Sequence, residues 1–254
     1  MKRFKVLGKS VNGFGNTELF LPRGRSRDMG QIMASCLGEV GADRTQVRAA
    51  ANTPVDISWL PAAAKAYKIS GDIRDYVVSG VPYITSDFPN RNLQAFTGEE
   101  ILRFRPRFGK VTYQTFIGKP TFQDHKNDDP LQAKGVNLDA VITYVPKYRV
   151  YKIIVLSAFD RTKDRELATA IADKDVNTYS MGAWVEVFKC GVPNCNSIAT
   201  TPVCSHFRRF GKGGVTDKGE LVYQNCYGVE FFEGSSVADP ADYTAVGEDV
   251  YTFG

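Results

Sequence analysis

The pattern of apolar positions changes character at about residue 75. Before it, Ala-rich pieces at Met29 to Val40 and Trp59 to Lys68 suit short helices, and strand signals are scarce. From Asp75 onward, Tyr76-Val77-Val78 and Val81-Pro82-Tyr83-Ile84 predict short β segments, and Val111 to Ile117 alternates with period two. Val136 to Val145 and Tyr148 to Phe159 predict two further strands, with Pro146-Lys147 as the turn of a hairpin. Asp160 to Asp173 switches to a helical pattern, with Asp160 or Thr162 as N-cap and Leu167, Ala168, Ala170 and Ile171 as the apolar face. Tyr179 to Phe188 and Val222 to Val237 return to β character, and the tail beyond Asp239 reads as loosely ordered. The expected class is α+β, a mostly antiparallel β-barrel or sheet core with a few helices.

The chain has 254 residues, 43% of them hydrophobic and 24% charged, which suits a folded globular protein and disfavours disorder, collagen and coiled coil. Its net charge of +4 neither demands nor excludes an anionic partner. The basic start Met1-Lys2-Arg3 is followed by no apolar signal-peptide core, and the run Ile153 to Phe159 is far shorter than the roughly 20 residues of a membrane span. Five cysteines, an odd number with three in one short stretch, point to a metal site in a reducing cytoplasm rather than a secreted disulfide framework.

Cys190, Cys195, Cys204 and His206 supply three thiolates and one imidazole, the donor set of a closed tetrahedral zinc site. Gly191, Pro193 and Asn194 provide the turn chemistry of a knuckle. Four protein ligands leave no position for water or substrate, so such a site is structural. Cysteines without a metal are the alternative, because the x4 spacing is looser than a Cys-x-x-Cys pair. The only other histidine, His125, stands in the polar turn Gln123-Asp124-His125-Lys126-Asn127, and alone it reads as an exposed loop residue. Ser180 opens Ser180-Met181-Gly182 at a strand entry, where a glycine permits close backbone approach. Glu233 lies in an aromatic strand, where a buried carboxylate needs a partner such as an imidazolium.

Together the segments Gly118 to Asn127, Tyr179 to Gly182, and Phe232 to Ala241 resemble the prohead maturation proteases of tailed bacteriophages, relatives of the herpesvirus assemblin serine proteases. The likeness runs piecemeal from about Asp75 to Ala245, and the Cys/His stretch is similar to an insert in some phage members. The chain departs from that pattern at Gly234, where a β-branched or hydrophobic residue is usual, and at Ala183, where related inserts often carry another cysteine. The resemblance implies an assemblin-like fold and a serine endopeptidase with a His125, Ser180, Glu233 triad. It further implies scaffold, core and major capsid precursor proteins as substrates, self-cleavage, contact with further copies of the chain, and action in the host cytoplasm inside the assembling prohead. The corresponding division is an N-terminal arm or propeptide over 1–74, a protease core over 75–245 containing a Cys/His insert over 183–228, and a tail over 246–254.

The competing expectation is a non-catalytic virion or nucleic-acid-binding protein built around the zinc knuckle, with Phe207-Arg208-Arg209-Phe210-Gly211-Lys212 interleaving aromatic and basic residues. The runs Arg23 to Arg27 and Arg103 to Arg107 share that ambiguity. With so small a net charge, solvated surface is the favoured expectation for all three, and neither nucleic acid nor membrane is an expected partner.

Overall fold

The structure, a computed structural model, describes residues 4–7, 33, 37, 38, 40–42, 44, 46, 48, 55–195, 197, 198, 204–247 and 250–252, which include thirteen strands and, from residue 55 onward, four α-helices. The strands are β1 (Phe4–Leu7), β2 (Tyr76–Thr85), β3 (Gln94–Phe96), β4 (Phe104–Arg105), β5 (Lys110–Val111), β6 (Pro120–Gln123), β7 (Gly135–Val145), β8 (Val150–Asp160), β9 (Tyr179–Val185), β10 (Val187–Cys190), β11 (Gln224–Tyr227), β12 (Glu230–Ser236) and β13 (Val250–Thr252). The helices are α1 (Leu60–Tyr67), α2 (Gly98–Ile101), α3 (Arg165–Ala172) and α4 (Ser205–Phe210). The fold is mixed α+β.

Eight strands make one sheet in the order β1-β9-β12-β6-β7-β8-β2-β13, antiparallel throughout except for the β12–β6 pair. At its centre, the Ile153 to Leu156 run of β8 is buried on both faces, which accounts for its lack of alternation. One face carries the larger core: Val77, Val81 and Tyr83 of β2, Ile153 and Val155 of β8, Met181 of β9 and Phe231 of β12, closed by Leu167, Ala168 and Ile171 of α3. The other face packs Val78, Leu138, Ile154 and Leu156 against Leu60 and Ala64 of α1 and against Met33 and Leu37. The sheet curls strongly, since β2 and β9 meet through Tyr83 and Tyr179, whose rings lie 6.3 Å apart. A smaller sheet, β10-β11-β3, carries the Cys/His segment.

The β7–β8 hairpin forms about Pro146-Lys147, as the turn residues between the two predicted strands imply. Tyr76 to Ile84 is a single strand with a bulge between Val81 and Ile84, rather than two short segments. Val111 to Ile117 is not a strand: after β5 it turns into a 3-10 helix over Thr112–Phe116. Its polar side chains satisfy the backbone locally, since Thr112 Oγ1 donates to the Arg103 carbonyl and Thr115 Oγ1 to the Thr112 carbonyl. The α3 N-cap is Asp164, which accepts from Leu167 N at 3.0 Å, and neither Asp160 nor Thr162. Asp160 is engaged by Ser70 N and by the Thr162 N–H and hydroxyl. Two further departures concern the chain ends. Phe4–Leu7 pairs with β9 as an edge strand, and beyond Asp239 the chain buries Ala241 and Ala245 and adds β13 to β2. The Met29 to Val40 expectation falls largely outside the described residues.

Candidate active site and metal centre

His125 leaves the end of β6, which runs parallel to β12 with Ser236 opposite Gln123. Asp124 and His125 both adopt left-handed φ values, 51° and 54°. Two consecutive non-glycine residues there store strain of the kind that persists only where surrounding contacts impose it. Those contacts are Asp124 N donating to the Ser236 carbonyl, Lys126 N to Gln123 and Asn127 N to His125. The tight turn folds the imidazole back over β12, where it is 5% exposed rather than out in a solvated loop. Its Nδ1 lies 2.6 Å from Glu233 Oε1.

Glu233 is fully buried, yet both carboxylate oxygens are engaged, because Ser235 Oγ donates to Oε2 at 2.5 Å. Uninterrupted alternation would put Glu233 on the core face with Phe231. A β-bulge between Phe231 and Glu233 inserts Phe232 as an extra residue and rotates the glutamate to the opposite face. The bulge is pinned where Phe231 N donates to Thr115 Oγ1 at 2.9 Å, so the 3-10 helix helps aim the carboxylate. Across the ladder stands Gly182, and a Cβ there would lie 2.5 Å from Glu233 Oε1 and 2.5 Å from Phe232 Cζ. This glycine clears space for the carboxylate. Gly234 clears the other face, where a Cβ would strike the Tyr83 hydroxyl.

Ser180 is the register partner of Ser235, so the two side chains share the face that bears Glu233 and His125, while Tyr179 and Met181 point into the larger core. Ser180 is 4% exposed. Among the described residues His125 Nε2 has no hydrogen-bond partner, so no bond joins it to Ser180 Oγ in this structure. Backbone direction also follows from the ladder. Thr178 O accepts from Val237 N toward β12, whereas Tyr179 N donates to Ala245 O on the other side. By period two the Gly182 N–H faces β12 and the Met181 N–H faces away from it.

The second constellation lies at the end of β10. The ligand atoms of Cys190, Cys195, Cys204 and His206 all lie within 4.8 Å of one another, with Cys190 Sγ 3.7 Å from His206 Nδ1. Ligands of a tetrahedral site with metal–sulfur bonds of about 2.3 Å stand roughly 3.8 Å apart, so the donor set fits a metal ion. Cys204 immediately precedes α4, which carries His206, and Val192, Val222, Phe207 and Phe210 pack around the cluster. All four described cysteines are free thiols. Burial pushes the Cys190 thiol up to about 12. Burial also opposes ionisation of Cys195, but hydrogen bonds from Ser197, His206 and Cys190 bring it down to about 7. Ala183 faces the core opposite Phe231, away from these ligands.

Several of the basic side chains are paired with carboxylates: Arg103 with Glu99, Arg105 with Glu100 and Glu186, and Arg209 with Asp217. Arg23 to Arg27 lies outside the described residues. Among the described residues no helix is long and apolar enough to cross a membrane. Glu233 and Ser180 thus lie on one face of β12 and β9, His125 reaches Glu233 from the turn after β6, and the four expected ligands converge. Ser235 and the bulge had no functional signal of their own in the sequence, although Ser235 lies within the segment that carries the resemblance. Compared with known proteins, the chain matches no family model, no curated protein and no solved structure.

Proposed function

We propose that the chain is a serine endopeptidase in which Ser180 is the nucleophile, His125 the general base and Glu233 the group that holds the imidazole. The observation that carries this proposal is the buried 2.6 Å contact between His125 Nδ1 and Glu233, on the face that also bears Ser180. A carboxylate accepting from Nδ1–H leaves the lone pair on Nε2, the tautomer a base needs. Ser180 Oγ then bonds to the scissile carbonyl carbon as its proton passes to Nε2. The imidazolium, stabilised by Glu233, gives that proton to the leaving amine as the C–N bond breaks, and water releases the acyl group by the same route. The nucleophile–base hydrogen bond commonly tightens only when substrate is bound. The Met181 N–H is the favoured oxyanion donor, because that of Gly182 faces β12.

The resemblance to phage prohead proteases supplies the finer terms: an assemblin-like core, scaffold, core and major capsid precursors as substrates, self-cleavage, and action inside the assembling prohead. Cys190, Cys195, Cys204 and His206 would hold zinc in a structural role, with no step of the reaction passing through it. Incubating the wild type and Ser180→Ala at high concentration and mapping new termini by mass spectrometry tests the proposal. Specific new termini in the wild type and none in the variant are expected. The same termini in both would overturn it.

A further inference from the structure

Glu233 is a flexible side chain asked to hold a ring in one orientation, and a hydrogen bond to one oxygen alone would leave it free to pivot. The second oxygen is held by Ser235 Oγ at 2.5 Å, on the same strand two residues on and fully buried. Both ends of the carboxylate are therefore fixed, one by the imidazole and one by a hydroxyl. The Ser235 hydroxyl proton is directed at the carboxylate and not at the base. Gly182 keeps the opposite side of the carboxylate unobstructed, so Ser235 supplies the directional constraint that the strand surface there does not.

We propose that Ser235 is a positioning residue: by fixing Glu233 it locks His125 in the Nδ1–H tautomer and keeps Nε2 available as a base. The catalytic part of this inference rests on the endopeptidase proposal, but the tautomer is measurable without any substrate. Because the sequence holds only two histidines, 15N-histidine labelling gives two imidazole systems, and the one lost in His125→Ala identifies itself.

In the wild type the His125 signals should report Nδ1–H with Nε2 unprotonated. Ser235→Ala should show both tautomers in exchange, and its self-cleavage rate should fall about 10- to 100-fold, the loss of one charge-assisted hydrogen bond. Ser235→Thr, which keeps the hydroxyl, should restore both. Ser235→Cys, near in size and a weaker donor, should lie between and keeps the test open if the alanine variant unfolds. An unchanged single tautomer in Ser235→Ala or Ser235→Cys would overturn the inference, even if the variant melts earlier. The two proposals fail separately. A wild type that cleaves nothing but shows the tautomer response sinks only the endopeptidase, and active protein with unchanged tautomer in the variants sinks only the positioning role.

Discussion

Adding a single methyl group at Gly182 should separate the stability of this protein from the integrity of its site. The Cβ of Gly182→Ala would lie 2.5 Å from Glu233 Oε1, 2.5 Å from Phe232 Cζ and 2.9 Å from Glu233 Cγ. All three are side-chain atoms, so the glutamate and the ring must move while the ladder stays. Overpacking of this kind costs about 1–3 kcal/mol. Replacing glycine within a strand returns about 0.5–1 kcal/mol by restricting the unfolded chain. The net loss is then about 0–2.5 kcal/mol, or at most roughly 10 °C in melting temperature for a chain of this size. The 2.6 Å contact of Glu233 with His125 cannot survive displacement of Oε1, and a charge-assisted hydrogen bond is worth about 1.5–3 kcal/mol. Cleavage should therefore fall at least about 10-fold, with the far-ultraviolet circular dichroism of the wild type retained. Gly71→Ala is the control, since its nearest neighbour would be Ala64 Cβ at 3.9 Å. A Gly182→Ala protein that cleaves at the wild-type rate would refute the assignment of Glu233 to the site.

Ser180→Ala and His125→Ala should each abolish specific cleavage, whereas Glu233→Gln should keep weak activity because the imidazole retains a partner without its charge; full activity in Glu233→Gln would reduce that residue to a structural one. Elemental analysis should find one zinc per chain, and chelation or Cys195→Ser should lower the melting temperature, with cleavage declining only as the protein unfolds; absence of zinc together with unchanged melting in chelator would contradict this. Asp164 caps α3 and is paired with Lys134 at 2.7 Å. Burial opposes its ionisation, but the Lys134 ammonium and the Leu167 N–H hold its carboxyl below the ordinary value. A lowered folded value means that its contribution is complete above about pH 4 and is lost as the pH falls further. Asp164→Ala should thus cost about 1 kcal/mol at neutral pH by urea titration, and the gap to the wild type should narrow in acid.

The legible parts of the fold are those in which one local rule acts alone. The β7–β8 hairpin combines long apolar strands with a Pro-Lys turn, and α3 has an apolar stripe with acidic caps to choose from. Thr112 to Phe116 alternates like a strand, but its hydroxyls close backbone bonds locally, and periodicity carries no information about such competition. Phe4–Leu7 is too short to stand out before its partner β9 is known. The residue types at the candidate site were visible, and their common face was not. Alternation through Phe231, Glu233 and Ser235 places all three on one side, and only the bulge at Phe232 separates the aromatic ring from the carboxylate. The Cys/His set was readable because ligand chemistry restricts residue type and number more tightly than packing does.

The strand order has a kinetic consequence. β12 is inserted between β9, which carries Ser180, and β6, which leads to His125, and it arrives last of the three from the N-terminus. A growing chain that has emerged as far as residue 180 holds both a serine and a histidine but no strand to bring them side by side. The parallel β6–β12 pairing closes a loop of more than a hundred residues, since His125 and Glu233 are 108 positions apart, and long-range pairing of this kind is among the slower events of folding. Docking of one late strand therefore brings serine, imidazole and carboxylate together in a single event, and partly folded or C-terminally truncated chains lack the site altogether.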